Sequence, residues 1–157
     1  MDAETGLAPD HKAELRLWLR LLTCTNLIEA ELRRRLRESF DTTLPRFDLL
    51  AALDRAPDGL TLGEVSRRMM VSNGNVTGLA ARLEAEGLVE RAADAADRRV
   101  FRLTLTKAGR REFTRQSAAH EEWVAELLGA LSPAERDTLH RLLGRAKAGL
   151  RGGSERS

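Results

Sequence analysis

Between Ser72 and Thr77 the chain reads SNGNVT, and between Asp94 and Arg99 it reads DAADRR. Both stretches carry side chains fitted to a nucleic-acid duplex. Asn73, Asn75 and Thr77 are short and bear donors and acceptors, and asparagine can bond adenine at two positions on its major-groove edge. Arg98 and Arg99 are cations for phosphates or for a narrow minor groove, whose negative potential draws arginine. Asp97 can hold one of those guanidinium groups, because the planar fork fits a carboxylate. From Thr61 to Arg115, eleven Arg and Lys residues stand against seven Asp and Glu, although the whole chain carries a net charge of only +2. A solvated surface also accounts for many of these charges, so charge alone does not decide.

The residues after SNGNVT make a good helix, with Leu79, Ala80 and Leu83 recurring at helical spacing. The first turns do not, since each glycine costs about 1 kcal/mol relative to alanine. Two readings explain them. Either SNGN is a capped helix start whose glycines are tolerated by packing, with Ser72 as the N-cap, or Gly74 and Gly78 let the backbone approach a duplex while the helix N-terminus favours phosphate.

Flanking elements must present these residues. A first helix is expected from near Pro9 and Asp10 to about Ser39, with Leu15, Trp18, Leu19, Leu22, Leu32 and Leu36 along one stripe. Such a helix is roughly 45 Å long at 1.5 Å per residue, and its excess apolar length points to a second subunit. DTTLP then turns the chain, with Thr42 or Thr43 as cap, into a second helix carrying Phe47, Leu49, Leu50 and Leu53. Thr61 and Glu64 form a capping box for a third, and the helix after SNGN completes a helix-turn-helix. Gly87 ends that helix, and alternating Leu88, Val89 and Phe101, Leu103, Leu105 make a hairpin, a wing, with the charged loop between them. Thr106 caps a long helix, SPAE at Ser132–Glu135 starts a last one, and the tail RGGSERS is expected to fray. The fold class is mainly α with a small β-hairpin wing.

The chain's 157 residues and 42% apolar content fit one folded domain. Arg16 and Arg20 break the most apolar segment well short of the roughly 18 residues of a membrane span. The start MDAETGLAPD is unlike a signal peptide, so no membrane partner and a cytoplasmic location are expected. A single cysteine excludes an internal disulfide, and His11, His120 and His140 show no zinc spacing, so neither metal nor cofactor is expected. An enzyme using Cys24 and a histidine lacks any recognisable nucleophile–base context, and Cys24 reads as a buried structural thiol rather than a redox switch.

The order V-S-N-x-N-V-T, R-L-E-x-x-G-L-V-x-R, D-x-x-D-R-R and L-T-x-x-G between Thr61 and Gly109 resembles the multiple-antibiotic-resistance regulator (MarR) family of bacterial winged-helix repressors, and the likeness extends from about Trp18 to Leu143. The resemblance implies a homodimeric, ligand-responsive transcriptional repressor. Residues 10–40 and 107–150 would form the helical dimerisation region and 42–106 the winged helix-turn-helix lobe. The DNA-binding set would be Ser72, Asn73, Gly74, Asn75, Thr77, Arg82, Arg91, Asp97, Arg98 and Arg99, with Arg99 in the minor groove and Asp97 orienting it. Arg82 and Arg91 have an alternative, pairing with Glu84, Glu86 or Glu90. The family's effectors imply a small aromatic or phenolic anion. Trp18 and Arg46 are candidates for its aromatic wall and carboxylate partner, with Thr25 and Asn26 as polar neighbours; Trp18 reads equally as core and Arg46 as a surface or dimer residue. Rival readings are a winged-helix interaction module without DNA binding and a Cys24-based redox sensor. Replacing Asn75 is expected to relax base preference at one position in each half-site, by about 1–3 kcal/mol of discrimination. Equal losses on specific and random duplexes would contradict that.

Overall fold

The computed structural model describes residues 12–69 and 75–154. Along the chain run α1 (Ala13–Phe40), α2 (Leu44–Asp54), α3 (Leu62–Arg68), α4 (Val76–Ala85), β1 (Val89–Ala93), β2 (Phe101–Leu105), α5 (Lys107–Leu127) and α6 (Pro133–Ser154). The architecture is mainly helical with one antiparallel hairpin, as the sequence pattern implied. Two compact units divide between Glu121 and Glu122.

In the first unit, α1 ends at Asp41, whose φ of 49° is a left-handed turn that a short polar residue tolerates. Its expected start near Pro9 and Asp10 lies outside the described residues. Thr43 caps α2, its Oγ1 accepting the Arg46 N–H, and Pro45 sits in the first turn. Thr42, the other candidate cap, is buried instead and accepts from Arg46 Nε. Gly59, at φ +87°, brings the chain against β2, where a Cβ would stand 2.8 Å from the Leu103 carbonyl oxygen. Leu60 and Leu103 then exchange backbone hydrogen bonds of 3.0 and 2.8 Å, which ties the start of the helix-turn-helix to the wing. The Thr61–Glu64 capping box opens α3 with both of its bonds made.

The core of this unit joins Leu49, Leu50 and Leu53 of α2 to Val65, Ala80, Leu83, Val89 and Leu103. Burying each of the larger side chains contributes roughly 1.5–3 kcal/mol, and their single cluster fixes α4 and the hairpin on α2. Gly87, at φ +76°, turns α4 into β1, and Val89 to Ala93 pair with Leu105 to Phe101. Thr106 then serves two elements: its Oγ1 accepts the Gly109 N–H and donates to the Gly87 carbonyl. Gly109 is required by packing, since a Cβ there would overlap the Leu88 carbonyl oxygen.

In the second unit, Ser132 and Glu135 exchange both capping-box bonds at the start of α6. This helix continues through Gly152 and Gly153 to Ser154, where the sequence reading expected fraying from Arg151. Propagating an established helix adds one hydrogen bond per residue fixed, which offsets the glycine penalty of about 1 kcal/mol each.

Gly109→Ala is expected to destabilise the protein by about 1–3 kcal/mol, through overpacking against the Leu88 backbone. Urea unfolding checks this as a lower midpoint at unchanged slope.

Candidate nucleic-acid interface

Alpha-helix α4 begins at Val76, and its cap is Asn75 rather than Ser72; Ser72, Asn73 and Gly74 lie outside the described residues. Asn75 Oδ1 accepts the Gly78 N–H at 2.9 Å. A Cβ on Gly78 would come within 2.5 Å of Asn75 Nδ2 and 3.0 Å of its Cγ. The glycine therefore makes room for the side chain that caps the helix, which accounts for one poor helix former by local chemistry and leaves the Asn75 NH2 group as a donor. Thr77 is exposed in the first turn, and Arg82 is exposed two turns along.

At the wing, Asp97 accepts three bonds from Arg99: from its backbone N–H at 3.1 Å, from Nε at 3.2 Å and from Nη2 at 3.4 Å. Arg99 nonetheless keeps 91% of its side chain exposed, so the fork is oriented yet open to a ligand. Arg98 next to it is exposed. Arg91 takes the pairing alternative, with Nε 3.2 Å from Glu84 Oε2 and its guanidinium 5.8 Å from the Phe101 ring centroid.

Sequence reasoning took Asp94 only as the first residue of the D-x-x-D-R-R motif and Arg102 only as a charge, and missed that the two pair. Arg102 Nε donates to Asp94 Oδ1 at 2.7 Å and Nη1 donates to the Gly59 carbonyl at 3.0 Å, with Glu64 Oε2 3.6 Å away. Asp94 Oδ2 in turn accepts the Asp97 N–H at 3.2 Å. The hydrogen bond from Arg102, aided by that N–H, holds the Asp94 carboxyl below the usual carboxylate range. Glu64 is also lowered, chiefly by the Thr61 N–H and further by the Arg102 charge.

A second feature is a cleft of about 530 Å³ lined by Phe40, Thr42, Arg46, Glu86, Arg115 and Gln116, among others. Arg46 is ion-paired to Glu86 there, and the Arg115 guanidinium lies 4.7 Å from the Phe40 ring centroid. Gln116 is buried; its Nε2 donates to Glu112, and its Oε1 has no partner among the described residues. Trp18, Thr25 and Asn26 are exposed on α1 and do not line this cleft. Trp18 precedes Phe40 by 22 helical residues, roughly 33 Å along the axis, so one chain does not bring Trp18 to Arg46. Nor is Trp18 core, at 54% exposed. Cys24 is likewise exposed, which corrects the expectation of a buried thiol. The cause is common to both: α1 buries only Leu32 and Leu36, and the described residues of its own unit leave the earlier turns uncovered. His120 stacks on Phe47 with ring centroids 4.6 Å apart, and burial pushes its pKa down.

The sequence profile of the MarR family matches residues 40–100. The transcriptional activatory protein BadR of Rhodopseudomonas palustris is 38% identical over 110 residues, 68% of this chain and 62% of BadR, so the chain spans less than two thirds of that relative's length. Among solved structures, a MarR family transcriptional regulator from Silicibacter pomeroyi is 36% identical with a TM-score of 0.71, over 95% of this chain and 98% of that one. BpsR of Bordetella bronchiseptica, described for the regulation of its DNA binding by 6-hydroxynicotinic acid, is 25% identical with a TM-score of 0.72, over 90% of this chain and 96% of that one.

Because the folded carboxyl of Asp94 titrates low, its bond to Arg102 stabilises the wing above about pH 4, the ordinary aspartate value, and that contribution is lost as the pH falls through the lowered folded value. A carboxyl NMR titration is expected to place the Asp94 midpoint below that of an unfolded aspartate, and Arg102→Met to move it back up. An unmoved midpoint in the variant would contradict the pairing.

Proposed function

The chain belongs to the MarR family of transcriptional regulators, and on that footing we propose that it binds double-stranded DNA as a homodimer and represses transcription in response to a small effector. The observation that carries this reading is the wing: a guanidinium held by Asp97 and left 91% exposed, on a hairpin packed beside a helix-turn-helix. Asn73, Asn75 and Thr77 would read base edges, with Ser72 and Gly74 at the phosphate-facing helix start. Arg99 would enter the minor groove, and Arg98 would meet phosphate. Arg82 would add a phosphate contact, while Arg91 would contribute only by giving up Glu84.

Dimerisation through residues 10–40 and 107–150 would cover Leu15, Leu17, Trp18, Leu22 and Leu27 of α1 and Leu139, Leu142 and Leu143 of α6, all exposed in the single chain. Two lobes, each residues 42–106, would then meet half-sites of a pseudo-palindrome about 34 Å apart. The cytoplasm, where the DNA would be met, would be the place of action.

For the effector, the cleft holding Arg46 offers a cation for a carboxylate and Phe40 an aromatic wall. The 6-hydroxynicotinic acid of BpsR is a precedent for a small aromatic acid. Trp18, Thr25 and Asn26 would join the site only from the α1 of a second copy, since roughly 33 Å of helix separates Trp18 from the α1 end of the cleft. Ligand binding would act by favouring a lobe spacing that does not match the half-sites. Activation is the second reading, favoured by the activatory role of BadR.

Mobility shifts with DNA upstream of the chain's own gene test the proposal. A folded dimer that forms no sequence-specific complex would favour the interaction-module reading instead. Arg99→Ala is expected to weaken binding and to flatten the plot of log affinity against log salt by about one unit, because a cation in the minor groove also releases counterions condensed on the flanking phosphates. An unchanged slope would remove the wing from the interface.

A further inference from the structure

The most connected side chain of the wing is not its most exposed one. Arg102 lies on β2, opposite Ala92 in the hairpin, with its side chain 34% exposed against 91% for Arg99. Its fork reaches three elements at once: the loop after β1 through Asp94, the turn between α2 and α3 through the Gly59 carbonyl, and the α3 capping box through Glu64. Asp94 carries the link onward, because its second oxygen accepts the Asp97 N–H, and Asp97 holds Arg99. Backbone bonds from Asp94 N–H to the Val100 carbonyl, at 2.8 Å, and from Val100 N–H to the Asp97 carbonyl, at 3.0 Å, close the loop around this chain of contacts.

We propose that Arg102 is a positioning residue for DNA binding: it clasps the wing loop to the start of α3 and so fixes where Arg99 stands relative to the recognition helix. This rests on the reading of Arg99 as a DNA contact. The physical ground is pre-organisation. Two five-residue strands on their own hold a loop poorly, and an arginine on a loose loop must be ordered at the moment of binding, which costs affinity. A loop already anchored to the helix-turn-helix incurs that cost during folding. Arg102 has the geometry of an anchor, its fork already engaged by Asp94, the Gly59 carbonyl and Glu64, so its effect on DNA is exerted through Arg99.

The experiment is a double-mutant cycle on the full chain, read as operator affinity at fixed salt, with thermal melts by circular dichroism alongside. Arg102→Met is expected to weaken operator binding about tenfold in the presence of Arg99, and by less than about twofold in an Arg99→Ala background. Arg102→Lys, which keeps the charge and loses the fork, is expected to be as weak as Arg102→Met. Asp94→Asn cuts the clasp from the loop side, leaves Gly59 and Glu64 untouched, and is expected to give the same loss of operator binding while its melt, lowered by the missing Arg102 bond, still shows a folded protein at the assay temperature. Hydroxyl-radical protection of the minor groove beneath the wing is expected to fade in all three single variants. Near-normal binding by Arg102→Lys or by Asp94→Asn overturns the proposal, as does an equal loss from Arg102→Met with and without Arg99. If Arg99→Ala itself binds normally with an unchanged salt slope, the wing contact fails and the positioning role falls with it. If Arg99→Ala is impaired while the cycle is additive, only the positioning role fails.

Discussion

One small apolar cluster fixes the angle between α4 and the wing hairpin. Leu49, Leu50 and Leu53 of α2 meet Val65, Leu83, Val89 and Leu103, so the helix-turn-helix and the hairpin share a single floor. Each residue is nearly or fully buried, and close-packed interiors leave little freedom for one element to slide past another. Recognition of a duplex by a helix and a wing together requires that fixed angle, because major and minor grooves alternate along DNA at set distances. The Leu60–Leu103 bridge and the tight approach at Gly59 extend the same constraint to the backbone.

Polar contacts refine what the core sets. Asn75 illustrates a competition at a helix start: its Oδ1 is engaged by the Gly78 N–H, so the proposed reading of a base through both ends of the amide would require exchanging that cap for the base. The wing resolves a similar conflict differently. Asp97 orients Arg99 without burying it, and the half-buried Arg102 and Asp94 take the strain of anchoring the loop. Orientation and exposure are thereby divided between different residues.

The uncovered turns of α1 stand apart from this economy. Leu17, Trp18 and Leu27 are each more than half exposed, which is the apolar surface that the proposed dimer would cover. A site using both Trp18 and Arg46 depends on what covers that face, since the length of α1 separates the two within a chain.

Local rules made much of this protein readable in the sequence. The Thr61–Glu64 and Ser132–Glu135 boxes, the Thr43 and Thr106 caps, the Gly87 stop and the strands of the wing depend on neighbours a few positions apart, and all are present, although Phe101, expected to share the inward face of Leu103 and Leu105, is exposed. The Asp97–Arg99 fork was legible for the same reason. Other features depend on residues far apart in the chain, and only tertiary structure decides them. Arg102 meets Gly59 across 43 positions and Arg46 meets Glu86 across 40, and no periodicity records such pairs. The exposure of Cys24 and Trp18 belongs to the same class: an apolar stripe says that a helix face is fit for burial, while whether the chain itself supplies the cover depends on where the other elements end.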